Sequence, residues 1–266
     1  MSELHLKPKA GNGEIHAVTP QSAGWTYVGF DLFRLAPGET LARETGGREV
    51  CLVLVSGHAR VRAGGQDFGT IGERMSPFDG APHAVYVPAD SSFEVEAADD
   101  LEIALCSAPA APGGTARHLP PGTHATTTRG MGSNTRYVTN ITPEGDGVAQ
   151  SLLVVEVATP GGNTSSYPPH KHDEDDLPRE SYLEETYYHR LNPPQGFAFQ
   201  RVYTDDRSLD AAMAVEDGDV VLVPKGYHPV ATIHGYDSWY LNVMAGPTRT
   251  WKFHNAPEHE WLFTGV

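Results

Sequence analysis

Short apolar runs separated by glycine and proline are the feature that most limits how this chain can fold. The 266 residues include 28 Gly and 21 Pro and contain few long runs with helical periodicity. Glycine and proline destabilise helix interiors and favour turns, so the runs between them are typical of short strands. The sequence therefore predicts an all-β fold, although residues 210–215 look helix-prone.

The candidate strands share short apolar patterns bounded by turn residues. They lie at 24–35, 49–56, 59–63, 83–87, 93–97 and 101–106 in the first half, and at 135–141, 151–158, 185–191, 197–203, 219–223 and 239–245 in the second.

A Pro- and Gly-rich segment, residues 107–123, interrupts the strand pattern near the middle of the chain. The halves on either side share a faint repeat, in which an apolar strand ends at Pro88 or at Pro224. We therefore predict two barrel domains joined by a linker, with boundaries at 1–110, 111–128 and 129–266.

Charge and N-terminal composition narrow the class of partner. The formal net charge of −15 opposes binding to nucleic acid or to an anionic membrane, so a small-molecule partner is expected. Residues 1–7 carry no apolar run like that of a signal peptide or membrane helix, which predicts a cytoplasmic protein.

Cys51 and Cys106 lie in apolar runs without a CxxC spacing, so we expect buried, free thiols. Assembly into a homo-oligomer is compatible with the sequence.

Histidine and glutamate residues in the second half have the spacing of a metal site. His170 and His172 alternate at period two, so both imidazoles leave the same face of an extended segment. His228 follows an apolar strand and a proline, where a turn can carry its side chain over a barrel mouth. Glu184 and Glu185 compete for a carboxylate position, because strand alternation lets only one of them face the histidines.

The first half of the sequence lacks the residues that would form a corresponding metal site. The first half has no His-x-His before residue 49, and Ser92 stands where the repeat would place His228. The first barrel is therefore predicted to lack metal ligands. The acidic run at 173–176 is expected to be a solvated loop outside the ligand set, because like charges so close disfavour joint burial.

Longer segments of the sequence resemble the 5-deoxy-glucuronate isomerase family of inositol catabolism, within the cupin superfamily of small β-barrels. The segments are SSYPPHKHD (165–173), LEETYY (183–188), NPPQGFAFQRVYTD (192–205), VPKGYHPV (223–230), YLNVMAGP (240–247), EVCLVLVSG (49–57) and GMGSNTR (130–136). They occur in both halves, so the resemblance covers most of the chain. The separation of His170 from Glu185 is wider than the usual cupin spacing.

The resemblance implies a bicupin of two jelly-roll-like β-barrels that binds one divalent metal ion. Zinc, manganese or iron(II) would be held at the positions that match His170, His172, Glu185 and His228. The choice of Glu185 depends on this match, because the family pattern places the ligand directly before aromatic strand residues.

The resemblance also implies an aldose to ketose isomerisation of a small anionic sugar acid through an enediol. Candidates for the base are a metal-bound hydroxide and the side chains of Glu184, Tyr187, Tyr203 and His189, and the sequence does not choose between them. Arg201 is the first candidate to bind the substrate carboxylate, provided that it faces inward. Arg129 and Arg136 are instead expected to join the two barrels.

Three other functions stay open. A ketol-isomerase of the pectin-derived 4-deoxy-L-threo-5-hexosulose uronate would use the same metal and the same enediol chemistry. An iron(II) dioxygenase would use a similar ligand set, and a sugar-binding bicupin would use the ion for rigidity alone. The 5-deoxy-glucuronate isomerase family is preferred because its segments recur over both halves.

Overall fold

The structure is a computed structural model that describes residues 3–263. Within these residues, helix is limited to α1 (Pro20–Ala23) and two 3-10 segments, Gly132–Asn134 and Pro257–Phe263. The remaining regular structure is β, which confirms the predicted all-β class. No helix in the described part of the chain is long and apolar enough to cross a membrane.

The described residues form 23 short strands. They are β1 (His5–Leu6), β2 (Gly13–Val18), β3 (Gly29–Leu35), β4 (Thr40–Glu44), β5 (Arg48–Ser56), β6 (Ala59–Ala63), β7 (Gln66–Ile71), β8 (Ala84–Val87), β9 (Ser92–Ala97), β10 (Leu101–Pro109), β11 (Arg117–Leu119), β12 (Thr126–Arg129), β13 (Arg136–Asn140), β14 (Leu153–Thr159), β15 (Thr164–Ser165), β16 (His170–Lys171), β17 (Glu184–Asn192), β18 (Phe197–Tyr203), β19 (Asp210–Glu216), β20 (Val220–Val223), β21 (Val230–Thr232), β22 (Asp237–Ala245) and β23 (His254–Asn255).

The described chain divides into two compact units, and each unit combines separate stretches of sequence. The N-terminal unit contains residues 8–126 and 139–155, and the C-terminal unit contains residues 3–7, 127–138 and 156–263. Residues 3–7 belong to the C-terminal unit because β1 pairs with β20 there. The domain boundaries drawn from the sequence stay a prediction, but the segment proposed as a linker contains β11, which pairs with β8.

The N-terminal unit consists of two antiparallel sheets with an apolar core. The larger sheet has the strand order β11-β8-β5-β10-β3-β2 and the smaller one β4-β9-β6-β7. Along β6, Ala59, Val61 and Ala63 are buried and the two arginines between them are exposed. This alternation is expected of a strand that packs one face on a core. Both sheets contribute side chains to that core, which includes Leu52 and Val95.

The C-terminal unit repeats this arrangement with additional strands. Most residues of a larger sheet with the order β1-β20-β17-β22-β14-β13-β12 belong to this unit. A second sheet has the order β15-β21-β18-β19, and β16 pairs with β23. In each unit, the strand that precedes Pro88 or Pro224 lies beside a long buried strand, β5 or β17. The repeat in the sequence therefore corresponds to equivalent places in the two larger sheets.

Local sequence patterns predicted most strands but not all of them. The ends of β6 and β18 match the predicted ranges, and the other predicted strands are present with shifted ends. The helix expected at 210–215 is wrong, because these residues form β19, which pairs with β18 along its whole length. Cys51 and Cys106 are buried and free, as predicted, and they lie directly opposite each other on β5 and β10. Burial raises the pKa of both thiols.

Candidate metal centre

Four side chains that lie far apart in the sequence converge in the C-terminal unit. One ring nitrogen from each of His170, His172 and His228 lies within 4.8 Å of those of the other two. Oε2 of Glu185 is 3.1 Å from Nε2 of His172 and 3.2 Å from Nε2 of His228. Ligands of one ion at bond lengths of about 2.1 Å lie about 3 Å apart, so this spacing fits a shared cation.

Strand geometry explains why these side chains face one another. In β16 and the residue after it, His170 and His172 point to one side, whereas Lys171 points to the other and contacts carboxylates. On β17, Glu185 shares its face with Tyr187, and Glu184 points to the opposite face. The turn after β20 brings His228 to the same place.

A buried ion cluster holds the loop that follows His172. Nζ of Lys171 is 2.6 Å from Oδ1 of Asp173 and 3.2 Å from Oε2 of Glu180. Asp173 also accepts a 2.7 Å hydrogen bond from the backbone N–H of Gly226. Burial raises the pKa of Asp173, but Lys171 outweighs this effect and the pKa lies below its usual value. The expectation of a solvated loop is therefore wrong for Asp173, although residues 174–176 are exposed.

Backbone carbonyls orient the imidazoles. Nδ1–H of His172 donates to the carbonyl of Leu183 at 2.9 Å, and Nδ1–H of His228 donates to the carbonyl of Gly226 at 2.8 Å. In both rings Nε2 is then the nitrogen available to the cluster. Such outer contacts fix the tautomer and the direction of a metal-binding histidine.

The electrostatic environment keeps two of the imidazoles neutral. Burial, assisted by the charges of the neighbouring histidines, holds the pKa of His170 well below its usual value. Burial also lowers the pKa of His228 to about 4. For His172, burial lowers the pKa, but the hydrogen bond to Glu185 and its charge raise it above the usual value. Nε2 of His228 is buried and has no hydrogen-bond partner among the described residues. A bound cation would satisfy this nitrogen, so the buried histidines fit a metal ion.

Aromatic and hydroxyl groups surround the cluster. Phe253 packs 4.6 Å from His170, measured between ring centroids, and Tyr187 lies 5.8 Å from His228. The hydroxyl of Tyr187 is 2.9 Å from Oγ of Ser166, which is 3.3 Å from the hydroxyl of Tyr240. Sequence reasoning missed Phe253, Ser166 and Tyr240. Ser166 and Tyr240 lie in two of the segments that carry the family resemblance, SSYPPHKHD and YLNVMAGP, and this was the signal that could have identified them.

The three predicted catalytic residues have surroundings of different kinds. Glu184 is buried on the opposite face of β17 from Glu185. Tyr203 is buried against Tyr227, with ring centroids 5.1 Å apart.

Arg201 is 46% exposed, and its guanidinium donates to both carboxylate oxygens of Asp210 at 2.8 and 2.7 Å. The expectation of an inward-facing clamp is not met, because the alternation of β18 turns Arg201 outward towards β19.

Among the residues that the structure describes, no second group of three or more possible ligands occurs. The one group found, His170, His172 and His228, lies in the C-terminal unit.

Comparisons with known proteins give the same fold and identify the family. A model of the KduI/IolB family matches residues 4–262. Chains named 5-deoxy-glucuronate isomerase from Geobacillus kaustophilus (strain HTA426) and Bacillus subtilis (strain 168) are 55% and 49% identical over 265 and 268 residues. These matches cover 98% of this chain in both cases, and 96% and 99% of the two relatives.

Solved structures extend the comparison. An IolB-like protein from Salmonella typhimurium LT2 has a TM-score of 0.96 at 52% identity, covering 98% of this chain and 99% of the other. Oxalate decarboxylase from Lactobacillus farciminis has a TM-score of 0.65 at 15% identity, covering 100% and 91%, which shows likeness of fold alone. The fold is a bicupin of two jelly-roll-like barrels, as predicted. The chain belongs to the KduI/IolB family.

Proposed function

We propose that the protein is a metal-dependent 5-deoxy-glucuronate isomerase, which converts 5-deoxy-D-glucuronate to 5-dehydro-2-deoxy-D-gluconate in myo-inositol catabolism. One observation carries this proposal. The buried cluster of His170, His172, Glu185 and His228 occurs in a chain whose relatives bear that name over nearly their full length.

We assign these four side chains as the ligands of one divalent ion. Imidazole and carboxylate ligands suit zinc, manganese and iron(II). When bound, such an ion would polarise the substrate carbonyl and stabilise the negative charge that develops on its oxygen. The carbonyls of Leu183 and Gly226 keep two of the rings in the orientation that binding requires.

We propose that Tyr187 acts on a substrate oxygen, because its ring centroid lies 5.8 Å from that of His228. The isomerisation removes hydrogen from C2 and from its hydroxyl, and adds hydrogen to C1 and to the former aldehyde oxygen. Burial, together with the charge of Glu185, raises the pKa of Tyr187 well above its usual value, so its hydroxyl stays protonated. We therefore assign Tyr187 as a hydrogen-bond donor to the developing enediol rather than as the base.

Metal content and turnover test the proposal together. Wild-type protein is expected to hold one divalent ion per chain and to isomerise 5-deoxy-glucuronate. His228→Ala should lose most of the ion and the turnover, because it removes a buried ligand. His234→Ala, which changes an exposed histidine, should retain both and is the matched control. Elemental analysis is the deciding measurement, since stoichiometric metal in His228→Ala would contradict the ligand assignment.

Alternative substrates separate the related activities. We expect faster turnover of 5-deoxy-glucuronate than of 4-deoxy-L-threo-5-hexosulose uronate under the same conditions. Faster turnover of 4-deoxy-L-threo-5-hexosulose uronate would support the isomerase reaction class but contradict the proposed substrate. Oxygen consumption in place of isomerisation would instead favour a dioxygenase.

A further inference from the structure

Arg129 and Arg136 differ from most arginines of this chain in their surroundings. Arg34, Arg60 and Arg201, for example, each lie within 2.8 Å of a carboxylate oxygen. Neither Arg129 nor Arg136 forms an ion pair with any carboxylate of residues 3–263. The chain has 34 acidic and only 19 basic residues, so two neighbouring cations without an acidic partner require an explanation.

Both guanidinium groups are half-buried and close enough to influence each other. Arg129 ends β12 and Arg136 begins β13, so the two flank one short loop. Burial lowers the pKa of both, and the charge of Arg129 lowers that of Arg136 further. Partial removal of two like charges from water is unfavourable unless an anion compensates it.

Local contacts hold the two side chains in place. The guanidinium of Arg129 lies 5.3 Å from the ring centroid of Trp251. Nη1 of Arg136 donates to the carbonyl of Asn134 at 3.0 Å. Gly130, at φ +74°, allows the loop backbone to pack closely against the guanidinium of Arg136. A Cβ added at this position would lie 2.7 Å from Nη1 of Arg136. These contacts fix the positions of the guanidinium groups and leave their charges uncompensated.

Side-chain contacts connect this pair to the metal cluster within the C-terminal unit. Trp251 lies 6.2 Å from Phe253, which packs on His170. Both arginines also interact electrostatically with Tyr240, whose hydroxyl is 3.3 Å from Oγ of Ser166. An anionic group held by Arg129 and Arg136 would therefore belong to a molecule that also reaches the histidines.

We propose that Arg129 and Arg136 bind the carboxylate of the sugar-acid substrate while the aldehyde end lies at the metal cluster. This inference rests on the proposed function, since it takes a six-carbon uronate as the ligand. Two guanidinium groups offer several N–H donors to one carboxylate, which is the arrangement expected for specific recognition of this anion. Arg201, already paired with Asp210, does not have this role.

Steady-state kinetics and ligand binding test the inference. We compare wild-type protein with Arg129→Gln, Arg136→Gln and Arg136→Lys, and with Arg201→Gln as the matched arginine control. KM for 5-deoxy-glucuronate should rise about 10- to 100-fold in each of the first two variants, the range expected for a hydrogen bond to a charged group. Metal content should be unchanged. Arg136→Lys should recover part of the loss, and Arg201→Gln should resemble wild type.

Calorimetric titration with D-glucuronate and D-glucose separates failure of the inference from failure of the proposed function. Wild-type protein should bind glucuronate more tightly than glucose. Arg129→Gln and Arg136→Gln should lose this difference in affinity, which is the preference compared below. If wild type turns over 5-deoxy-glucuronate while both variants keep normal KM and normal preference, the carboxylate site is refuted and the function stands. If wild type shows no turnover but its preference depends on the two arginines, the function is refuted and the carboxylate site stands. Absence of any preference in wild type would overturn the inference.

Discussion

Gly226 lies two residues before His228, and its backbone contacts both sides of the candidate metal centre. Its N–H donates to Asp173, next to His172, and its carbonyl accepts the Nδ1–H of His228. Its φ is +90°, a conformation that residues with a Cβ rarely adopt. An added Cβ would lie 2.5 Å from the carbonyl oxygen of Tyr203. A residue without a side chain thus sets the direction of a proposed ligand.

Gly226→Ala is expected to weaken metal binding about 10- to 100-fold, because it moves the carbonyl that orients His228. Gly235→Ala is the matched control, since Gly235 has φ +88° but no atom within 4 Å of an added Cβ. Both variants should lose about 1–2 kcal/mol of stability from the backbone conformation alone, and only Gly226→Ala should lose the metal. Equal metal affinity in the two variants, measured by competition with a chelator, would contradict this role.

The sequence predicted the residue types of the site better than their orientation. Period-two alternation identified His170 and His172 because that spacing is a local property of an extended chain. It could not choose between Glu184 and Glu185, since either register presents a glutamate. Arg201 was a candidate because its guanidinium suits a carboxylate, but which face of β18 lies inward depends on how its sheet packs, and local sequence does not encode that packing.

Glu49, at the start of β5, anchors a separate segment of the N-terminal unit. Its buried carboxylate accepts hydrogen bonds from the backbone N–H groups of Gln150, Ser151 and Leu152 at 2.7–2.8 Å. The hydroxyl of Tyr86 donates a further bond at 2.9 Å. These contacts hold residues 150–152 against β5, although they lie about 100 positions later in the chain.

Glu49→Gln should lower the stability of this unit by about 2–3 kcal/mol, because an amide cannot accept every bond that the carboxylate accepts. Amide hydrogen exchange at residues 150–152 should increase most. The exposed Glu44→Gln, on β4, is the control and should change neither property. Metal content should be retained, since the proposed ligands lie in the C-terminal unit. Unchanged exchange at 150–152 would show that Glu49 is not the anchor.

The elements that sequence analysis predicted include those with continuous apolar patterns, such as β5 and β20. Strands such as β1 and β16 are only two residues long, so their periodicity cannot be recognised. β19 contains alanines that favour helix, and pairing with β18 overrides that preference. Long-range partners, rather than local composition, determine these elements.

At the scale of the whole molecule, buried His189 predicts a loss of stability in acid. Its Nε2 is 2.9 Å from Oε1 of Gln200, so the neutral ring donates to the amide oxygen. Burial lowers the pKa of His189 to about 4, although Gln200 and Asp219 oppose this shift. In the unfolded chain the pKa is about 6.5. Between these values the unfolded state binds a proton that the folded state does not, so the free energy of unfolding falls as pH falls.

His189→Gln should remove this contribution, which is about 3 kcal/mol over the full window. Urea unfolding of metal-free wild type and variant at pH 7 and pH 4.5 measures it. Between pH 7 and pH 4.5, the free energy of unfolding of wild type should fall by about 2–3 kcal/mol more than that of the variant. A difference that does not depend on pH would mean that the pKa of His189 is the same in the folded and unfolded states, which would contradict the prediction.

The pairing of β1 with β20 has a consequence during synthesis of the chain. His5 and its partner Asp219 are separated by 214 positions, and their contact is 2.7 Å long. At about 5–20 residues per second, the ribosome takes roughly 10–40 s to make that intervening chain. The backbone groups of β1 must therefore remain without their partner strand, and must avoid aggregation, until the residues of β20 have been synthesised.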